Sequence, residues 1–503
     1  MKKNLLPLSF PVLMLLLLAS CSKDAQEVKL AQGLVKTPKQ DRGFIILTEQ
    51  NVDQQAISEA ISSLGVKKFV FKEANKELGL IRVQTPDPTF PEKARKVAGV
   101  QSVSVDIVQN WRLPERTFRS SIPYGSTAIT SGTTHDYAKT SSSAALTDRY
   151  SFLQWGLQAV HAPEAWAKGY KGGGVKVAVL DGGFLLNNPE IKPNIILTHS
   201  FVEGEEVQYH GKEGFSHGSH VAGTIAAIKD SNGVAGVAPE AKLILVKVLS
   251  DAGSGAFSSI IDGIFYATNH GAKVINMSLG GELPLKTFTD DNGTPDDPSD
   301  DYVVEYDRDV KELITAINRA TLYANLNGTT VIAAAGNDGY NYDSEKRFIT
   351  YPAAALGVIA ISSTGPLGWG INQDTSLYLP SIFTNYGKNF IHYAAPGGNY
   401  TLPPNTTVVS VGGIINYEYL FDFVFNIGFW DEASATYYYG WSAGTSMASP
   451  HAAAVAALIY NKYPFANPLL VDLILKASST DYGTPGKDKY FGDGEVNAAK
   501  AVR

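Results

Sequence analysis

Residues 444–451 read Gly444-Thr445-Ser446-Met447-Ala448-Ser449-Pro450-His451 and run directly into an alanine-rich stretch from Ala452 to Ala457. Alanine is the strongest helix former, so the stretch reads as a helix with Ser446 at its start. Unsatisfied backbone N–H groups and the helix dipole there favour a developing negative charge. Gly444 lets a second backbone approach closely. Serine is also a preferred helix N-cap, so this segment alone leaves two roles open for Ser446.

Upstream, short apolar or β-branched runs at residues 175–180, 242–249, 274–277 and 331–335 have the character of buried parallel strands. Helical stretches at 217–228, 258–270, 310–325 and 446–460 alternate with them. The alternation predicts an α/β domain over residues 150–503, a parallel sheet sandwiched by helices. Polar residues stand at the ends of these elements. Asp181 follows Val177-Ala178-Val179-Leu180, at the strand end where α/β sheets place ligands, although an acid before Gly182-Gly183 also suits a turn. His217 opens an apolar helix in His217-Gly218-Ser219-His220; the histidine pair argues only weakly for zinc, with no acidic partner nearby. Asn337, before Asp338-Gly339, is by itself a turn residue.

Taken together, these residues stop being ambiguous. They fall in the order Asp, His, Asn, Ser, each inside a longer marker: Val177-Ala178-Val179-Leu180-Asp181, His217-Gly218-Ser219-His220-Val221-Ala222-Gly223-Thr224, Ala334-Ala335-Gly336-Asn337 and the segment 444–451. Trp155-Gly156-Leu157, Ala162-Pro163-Glu164-Ala165-Trp166, Asn276-Met277-Ser278-Leu279-Gly280-Gly281 and Gly494-Glu495-Val496-Asn497-Ala498-Ala499 stand between and around them. From about Trp155 to the C-terminus the chain resembles the subtilases, the subtilisin-like serine peptidases.

The resemblance implies a serine endopeptidase that cuts protein or peptide substrates through an acyl-enzyme on Ser446. His217 would be the general base, Asp181 would orient its imidazole, and Asn337 with the Ser446 N–H would hold the oxyanion. His220 and His451 would be structural. Ser278-Leu279-Gly280 resembles the edge that pairs with extended substrate, and Asp338 would favour a basic residue before the cut. Two departures stand out. Ser219 replaces the usual threonine, and Gly182-Gly183 replaces a Thr-Gly or Ser-Gly pair, an extra glycine expected to loosen the turn. The retained Asp181, His217, Ser446 and Asn337 count against a non-catalytic binding protein on the same fold. An enzyme that cuts itself once and falls silent is the other alternative.

Calcium is the cofactor this resemblance suggests, as a structural ion; none is needed for the chemistry. The loop Ile228-Lys229-Asp230-Ser231-Asn232-Gly233-Val234 matches a calcium-binding loop of subtilisins in length and position. Asp230 and Glu190 match side-chain ligands there, while Lys229 and Ser151, at a third ligand position, weaken the match. Two stretches are inserted relative to simpler subtilases. Residues 282–309 carry Asp290-Asp291, Asp296-Asp297 and Asp300-Asp301, a solvated acidic face or a second calcium loop. Residues 413–439 are aromatic, either a wall of the substrate cleft or a hairpin packed on the core.

The first third of the chain is organised differently. Lys2 and Lys3, the apolar run from Leu5 to Leu18 and then Ala19-Ser20-Cys21 form a signal peptide, 1–20, resembling that of a bacterial lipoprotein lipidated on Cys21. A polar tether, 21–41, leads to residues 42–111, whose β-α-β-β-α-β pattern predicts a small ferredoxin-like α+β domain. It resembles an inhibitor-type subtilase propeptide, which would make the chain a self-processing zymogen and its own propeptide a partner. Residues 112–149 are serine- and threonine-rich and read as an accessible processing linker. The expected location is the bacterial cell envelope, through a lipid anchor, with release or retention after processing left open. Cys21 is the single cysteine of the 503 residues, so no intrachain disulfide exists. A net charge of −7 argues against nucleic-acid binding.

Overall fold

The computed structural model describes residues 42–49, 52–66, 68–110, 117–124, 146–211, 214–290, 302–304 and 306–503. The signal peptide, Cys21 and the tether therefore lie outside the described residues. β1 (Arg42–Thr48), α1 (Gln54–Ser62), β2 (Val70–Asn75), β3 (Leu80–Thr85), α2 (Phe90–Ala94) and β4 (Val100–Val105) follow one another in the expected ferredoxin-like order. Their antiparallel sheet runs β2-β3-β1-β4. Asp53 caps α1 by accepting from the backbone of Gln55 and Ala56. Phe44, Ile46, Ile57, Ile61, Ile81, Val83 and Phe90 fill the space between this sheet and its helices.

Two more strands follow, β5 (Val108–Asn110) and β6 (Thr117–Pro123), and both pair outside the small sheet. Composition predicts an accessible linker at β6, and here the structure differs. Ser120 Oγ donates to the Tyr439 carbonyl at 2.6 Å, and Ile122 is buried in the main core. A strand needs only alternate residues to face inward, a signal that average polarity hides. Residues 125–145 lie outside the described part.

The larger unit begins with α3 (Trp155–Ala159) and α4 (Ala162–Ala167), then β7 (Lys176–Asp181), β8 (Ile195–Ser200), α5 (His217–Ala226), β9 (Lys242–Lys247), β10 (Ser254–Ala256) and α6 (Phe257–Asn269). β11 (Val274–Met277), β12 (Gly281–Pro284), β13 (Phe288–Asp290) and β14 (Tyr302–Val304) precede the long helix α7 (Arg308–Leu326). β15 (Thr330–Ala334), β16 (Phe348–Tyr351), β17 (Val358–Gly365), β18 (Leu379–Pro380) and β19 (Tyr393–Pro396) come next. The chain finishes with β20 (Val408–Val411), β21 (Ile414–Tyr417), α8 (Glu418–Phe421), β22 (Val424–Asp431), β23 (Thr436–Ser442), α9 (Thr445–Lys462), α10 (Pro468–Ser478) and α11 (Ala498–Ala501).

The main sheet has the order β18-β17-β15-β11-β7-β9-β8, with β19 added beside β17. All its pairings are parallel except β17 with β18. Alternate residues of β7 serve two cores: Val177 and Val179 pack with α5 and α9, Ala178 and Leu180 with α6 and α7. A strand buried on both faces has no reason to alternate polar with apolar, which is why these strands read as continuous apolar runs. The small N-terminal sheet adds Ile45, Leu47 and Leu80 to the core of α6 and α7.

The aromatic insert is packed on the core. β22 and β23 form a hairpin that β6 extends to three strands. Phe425 stacks on Tyr439 with ring centroids 5.9 Å apart and lies 4.9 Å from Trp441. In the other insert, β12 pairs with β16 and β13 with β14, while residues 291–300 lie outside the described part.

Near the C-terminus, Glu495 is fully buried, with Thr364 Oγ1 donating to its carboxyl at 2.9 Å. Burial pushes this carboxyl up from 4.5 to about 8. The folded protein thus holds the proton more tightly than the unfolded chain. The resulting stability is complete below about pH 4.5 and is lost as pH rises through about 8. Glu495→Gln should flatten the fall in melting temperature between pH 5 and pH 9; parallel curves for the two proteins would assign the fall to other groups.

Candidate active site

β7 delivers Asp181 at its last residue, and α5 delivers His217 at its first. Asp181 is completely buried, and His217 Nδ1 lies 2.8 Å from one carboxylate oxygen and 3.0 Å from the other. The Gly182 N–H donates to the same carboxylate at 2.7 Å. Ser216 caps α5 by accepting from the Ser219 N–H, and its own hydroxyl donates to the Gly183 carbonyl at 2.8 Å. Ser219 Oγ accepts from Leu185 N–H at 2.7 Å, so serine supplies the hydroxyl expected of a threonine there.

The Gly182-Gly183 turn is tight, contrary to the expectation that a second glycine loosens it. Gly183 has φ +126°, and a Cβ there would lie 2.8 Å from Lys247 Nζ and 2.9 Å from an Asp251 carboxylate oxygen. Packing and backbone conformation both select glycine.

Ser446 is the second residue of α9, a helix capped by the extended Gly444 without a side-chain bond. Ser446 is therefore not the cap. Its hydroxyl donates to the Ser278 carbonyl at 3.1 Å. Asn276 Nδ2 donates to Ser278 Oγ at 2.9 Å, Ser278 Oγ donates to the Ser446 carbonyl at 2.8 Å, and Ser449 Oγ donates to Asn276 Oδ1 at 2.8 Å. This network locks the end of β11 to the first turn of α9. Asn276 and Ser449 escaped sequence reasoning because a buried hydrogen-bond partner has no spacing signature.

Asn337 lies just beyond β15, where its Oδ1 accepts from Thr445 N–H at 2.7 Å and from Thr445 Oγ1 at 3.0 Å. With the oxygen used in this way, the amide NH2 is the group left to donate. α5 and α9 pack side by side on one face of the sheet. His217 Nε2 is buried and accepts no hydrogen bond from the described residues. Such bonds in ligand-free enzymes commonly tighten only when substrate arrives.

His220 is fully buried, with Nε2 3.2 Å from the Val424 carbonyl; burial and neighbouring His217 push it down to about 3. His451 lies against the Met447 carbonyl at 2.8 Å, and burial pushes it down to about 4. Both are neutral packing residues. Among the described residues no group of three or more His, Cys, Asp or Glu side chains is placed to hold a metal ion.

Ser278 and Leu279 are buried, and Gly280 follows at the edge. β5 pairs antiparallel with β10, Gln109 with Gly255, and Gln109 Nε2 donates to the Glu282 carbonyl at 3.0 Å. Asp338 is exposed, its N–H donating to Asn385 Oδ1 at 3.1 Å. Glu190 is buried and accepts from the Tyr439 hydroxyl at 2.6 Å; burial pushes its carboxyl up to about 8. Asp148 accepts from the N–H groups of Asp230 and Ser231, at 2.9 and 3.0 Å. Ser151 directs its hydroxyl to the Asp148 carbonyl instead.

Comparison with known proteins agrees with this architecture. The model of the subtilase family matches residues 172–494. Subtilisin DY of Bacillus licheniformis is 32% identical over 352 residues, covering 70% of this chain and 99% of its own. M-protease of Shouchella clausii (strain KSM-K16) is 34% identical over 361 residues, 72% of each chain. The crystal structure of the epidermin leader peptide processing serine protease of Staphylococcus aureus shares the fold, with TM-score 0.65 and 20% identity over 92% of this chain and 98% of that one. The chain belongs to the subtilase family and is a serine endopeptidase of the subtilisin type.

Proposed function

We propose that Ser446 is the nucleophile of this endopeptidase, His217 its general base, Asp181 the residue that orients and supports the imidazole, and Asn337 an oxyanion donor. The paired short contacts of His217 Nδ1 with the buried Asp181 carboxylate carry this reading. They fix the tautomer with Nε2 as acceptor, ready for the Ser446 proton. On substrate binding the hydroxyl turns from the Ser278 carbonyl toward Nε2 and attacks the scissile carbonyl. The Asn337 amide and the Ser446 N–H receive the oxyanion; removing one such donor costs about 10²–10³ in rate. The intermediate then collapses as His217 gives its proton to the departing amine, leaving the acyl-enzyme, and water deprotonated by His217 hydrolyses that ester and frees Ser446.

Residues 42–111 act, on this reading, as an inhibitory propeptide, with 1–20 as the lipoprotein signal, Cys21 as the lipidated residue, 21–41 as tether, 112–149 as the processed linker and 150–503 as the peptidase domain. Support comes from β5, which pairs with β10 and whose Gln109 donates to the Glu282 carbonyl, two residues beyond Ser278-Leu279-Gly280, the edge proposed to pair with substrate. Arg82 binds Asp262 at 2.9 Å, and Arg95 binds Asp309 and Glu312, both at 2.9 Å, holding the small domain on α6 and α7. A fluorophosphonate probe should label wild type but not Ser446→Ala. The wild-type band should be shorter, with full-length Ser446→Ala in the membrane fraction. A full-length, unlabelled but folded wild type would sink the reading.

Asp338, exposed beside Asn337, would favour a basic residue before the cut. Asp338→Ala should lower the Lys-to-Leu peptide rate ratio several-fold, and an unchanged ratio would refute it.

A structural calcium would be held by the Glu190 and Asp230 side chains. Desolvation and mutual repulsion raise the Glu190 and Asp148 carboxyls, and one Asp148 oxygen is buried without a hydrogen bond, facing Lys229 Nζ only at 4.0 Å. A cation would relieve that repulsion, taking its remaining ligands from loop carbonyls. Chelation with EGTA should lower the melting temperature by several degrees and added calcium restore it. A curve indifferent to both would exclude the ion.

A further inference from the structure

Lys247 ends β9 with its side chain completely buried, although lysine is almost never buried unless paired. Its Nζ donates to the Gly182 carbonyl at 2.8 Å and forms ion pairs with Glu205, at 3.1 Å, and Asp251. The carboxylates are themselves fixed. Asp251 N–H donates to Glu205 at 2.8 Å, and His210 N–H donates to Asp251 at 2.8 Å. The ammonium is thus held where it meets the peptide that follows Asp181.

The next carbonyl along the chain, Gly183, accepts from Ser216, the residue before His217. Two successive carbonyls after Asp181 are therefore tied to two different elements, one to β9 and one to the start of α5. The residue just past β9 makes a third tie: the N–H of Val248 donates to the Asp181 carbonyl at 2.9 Å. Gly183 completes the device, since any side chain there would strike Lys247 Nζ.

We propose that Lys247 is a positioning residue for the Asp181–His217 pair, holding the Gly182-Gly183 turn so that the carboxylate meets Nδ1 squarely. The proposal rests on the roles given above to Asp181 and His217. Its bond to the Gly182 carbonyl does this work, and the ion pairs with Glu205 and Asp251 keep the ammonium in place.

The test measures kcat and KM on a chromogenic peptide, per site titrated to completion with a fluorophosphonate. Lys247→Met in the full chain should lower kcat about tenfold or more while KM stays within about twofold, as expected when only the catalytic geometry slips. Glu205→Gln/Asp251→Asn leaves amide oxygens that still accept from Nζ and hold it on the Gly182 carbonyl, so kcat should stay within about threefold of wild type. A structural role alone would lower the melting temperature and the number of titratable sites, with kcat per site unchanged; that result overturns the proposal. Equal kcat losses in both variants overturn it too. If Lys247→Met yields no titratable sites, Lys247→Arg decides, because it keeps the positive charge for Glu205 and Asp251 but does not place an ammonium on the Gly182 carbonyl. A tenfold fall in kcat per site is expected there, and unchanged kcat overturns the proposal. Labelling that persists in Ser446→Ala faults the assignment of the nucleophile, whereas kcat compared among the Lys247 and Glu205/Asp251 variants supports or overturns the positioning role.

Discussion

A carboxylate with no exposure stands at the end of a strand that is itself buried on both faces. Removing Asp181 from water is costly unless hydrogen bonds replace the lost hydration. Gly182 N–H and His217 Nδ1 supply them, and both donors depend on the path of the turn after β7. That path depends on α5 starting where Ser216 caps it, and on the packing of α5 against the sheet. The need to satisfy one buried charge thus propagates outward through the fold. The strand order serves it as well: β11 and β15, next in the sheet, carry Ser278 and Asn337 just past their ends.

The first turn of α9 solves a related problem. It is buried, begins without a side-chain cap, and carries hydroxyls at Thr445, Ser446 and Ser449. Thr445 binds Asn337, and Ser449 binds Asn276, so the helix start is bolted to the ends of two strands. The rigidity of Ser446 comes from neighbours that perform no chemistry. Satisfied polar networks of this kind specify one arrangement, because breaking any member leaves a buried group without a partner.

The sequence made the large domain legible because its elements are long and strongly patterned. The strand at 274–277 has the bounds read for it, and the ends of α5, α6, α7 and α9 differ by a few residues, as capping and fraying allow. Asp181, His217, Asn337 and Ser446 were visible because each ends or begins an element inside a local motif. Lys247 was not. It sits in an apolar strand where a lysine reads as an exposed end, and only the fold brings Glu205 and Asp251 around it. β2 was equally hidden: Val70 and Phe71 are exposed on that edge strand, which blurs the alternation. β6 was lost in a serine-rich average, although its partner strand, rather than its own composition, determines that it forms.

The ladder between β5 and β10 has a further effect on the molecule's behaviour in a crowd. A strand at the margin of a sheet presents a row of unmatched peptide groups, a template on which any extended chain can polymerise. With Val108, Gln109 and Asn110 in place, Ala256, Gly255 and Ser254 have their match within the same chain. Pairing within the chain therefore covers this row of peptide groups, which would otherwise be open to a second copy.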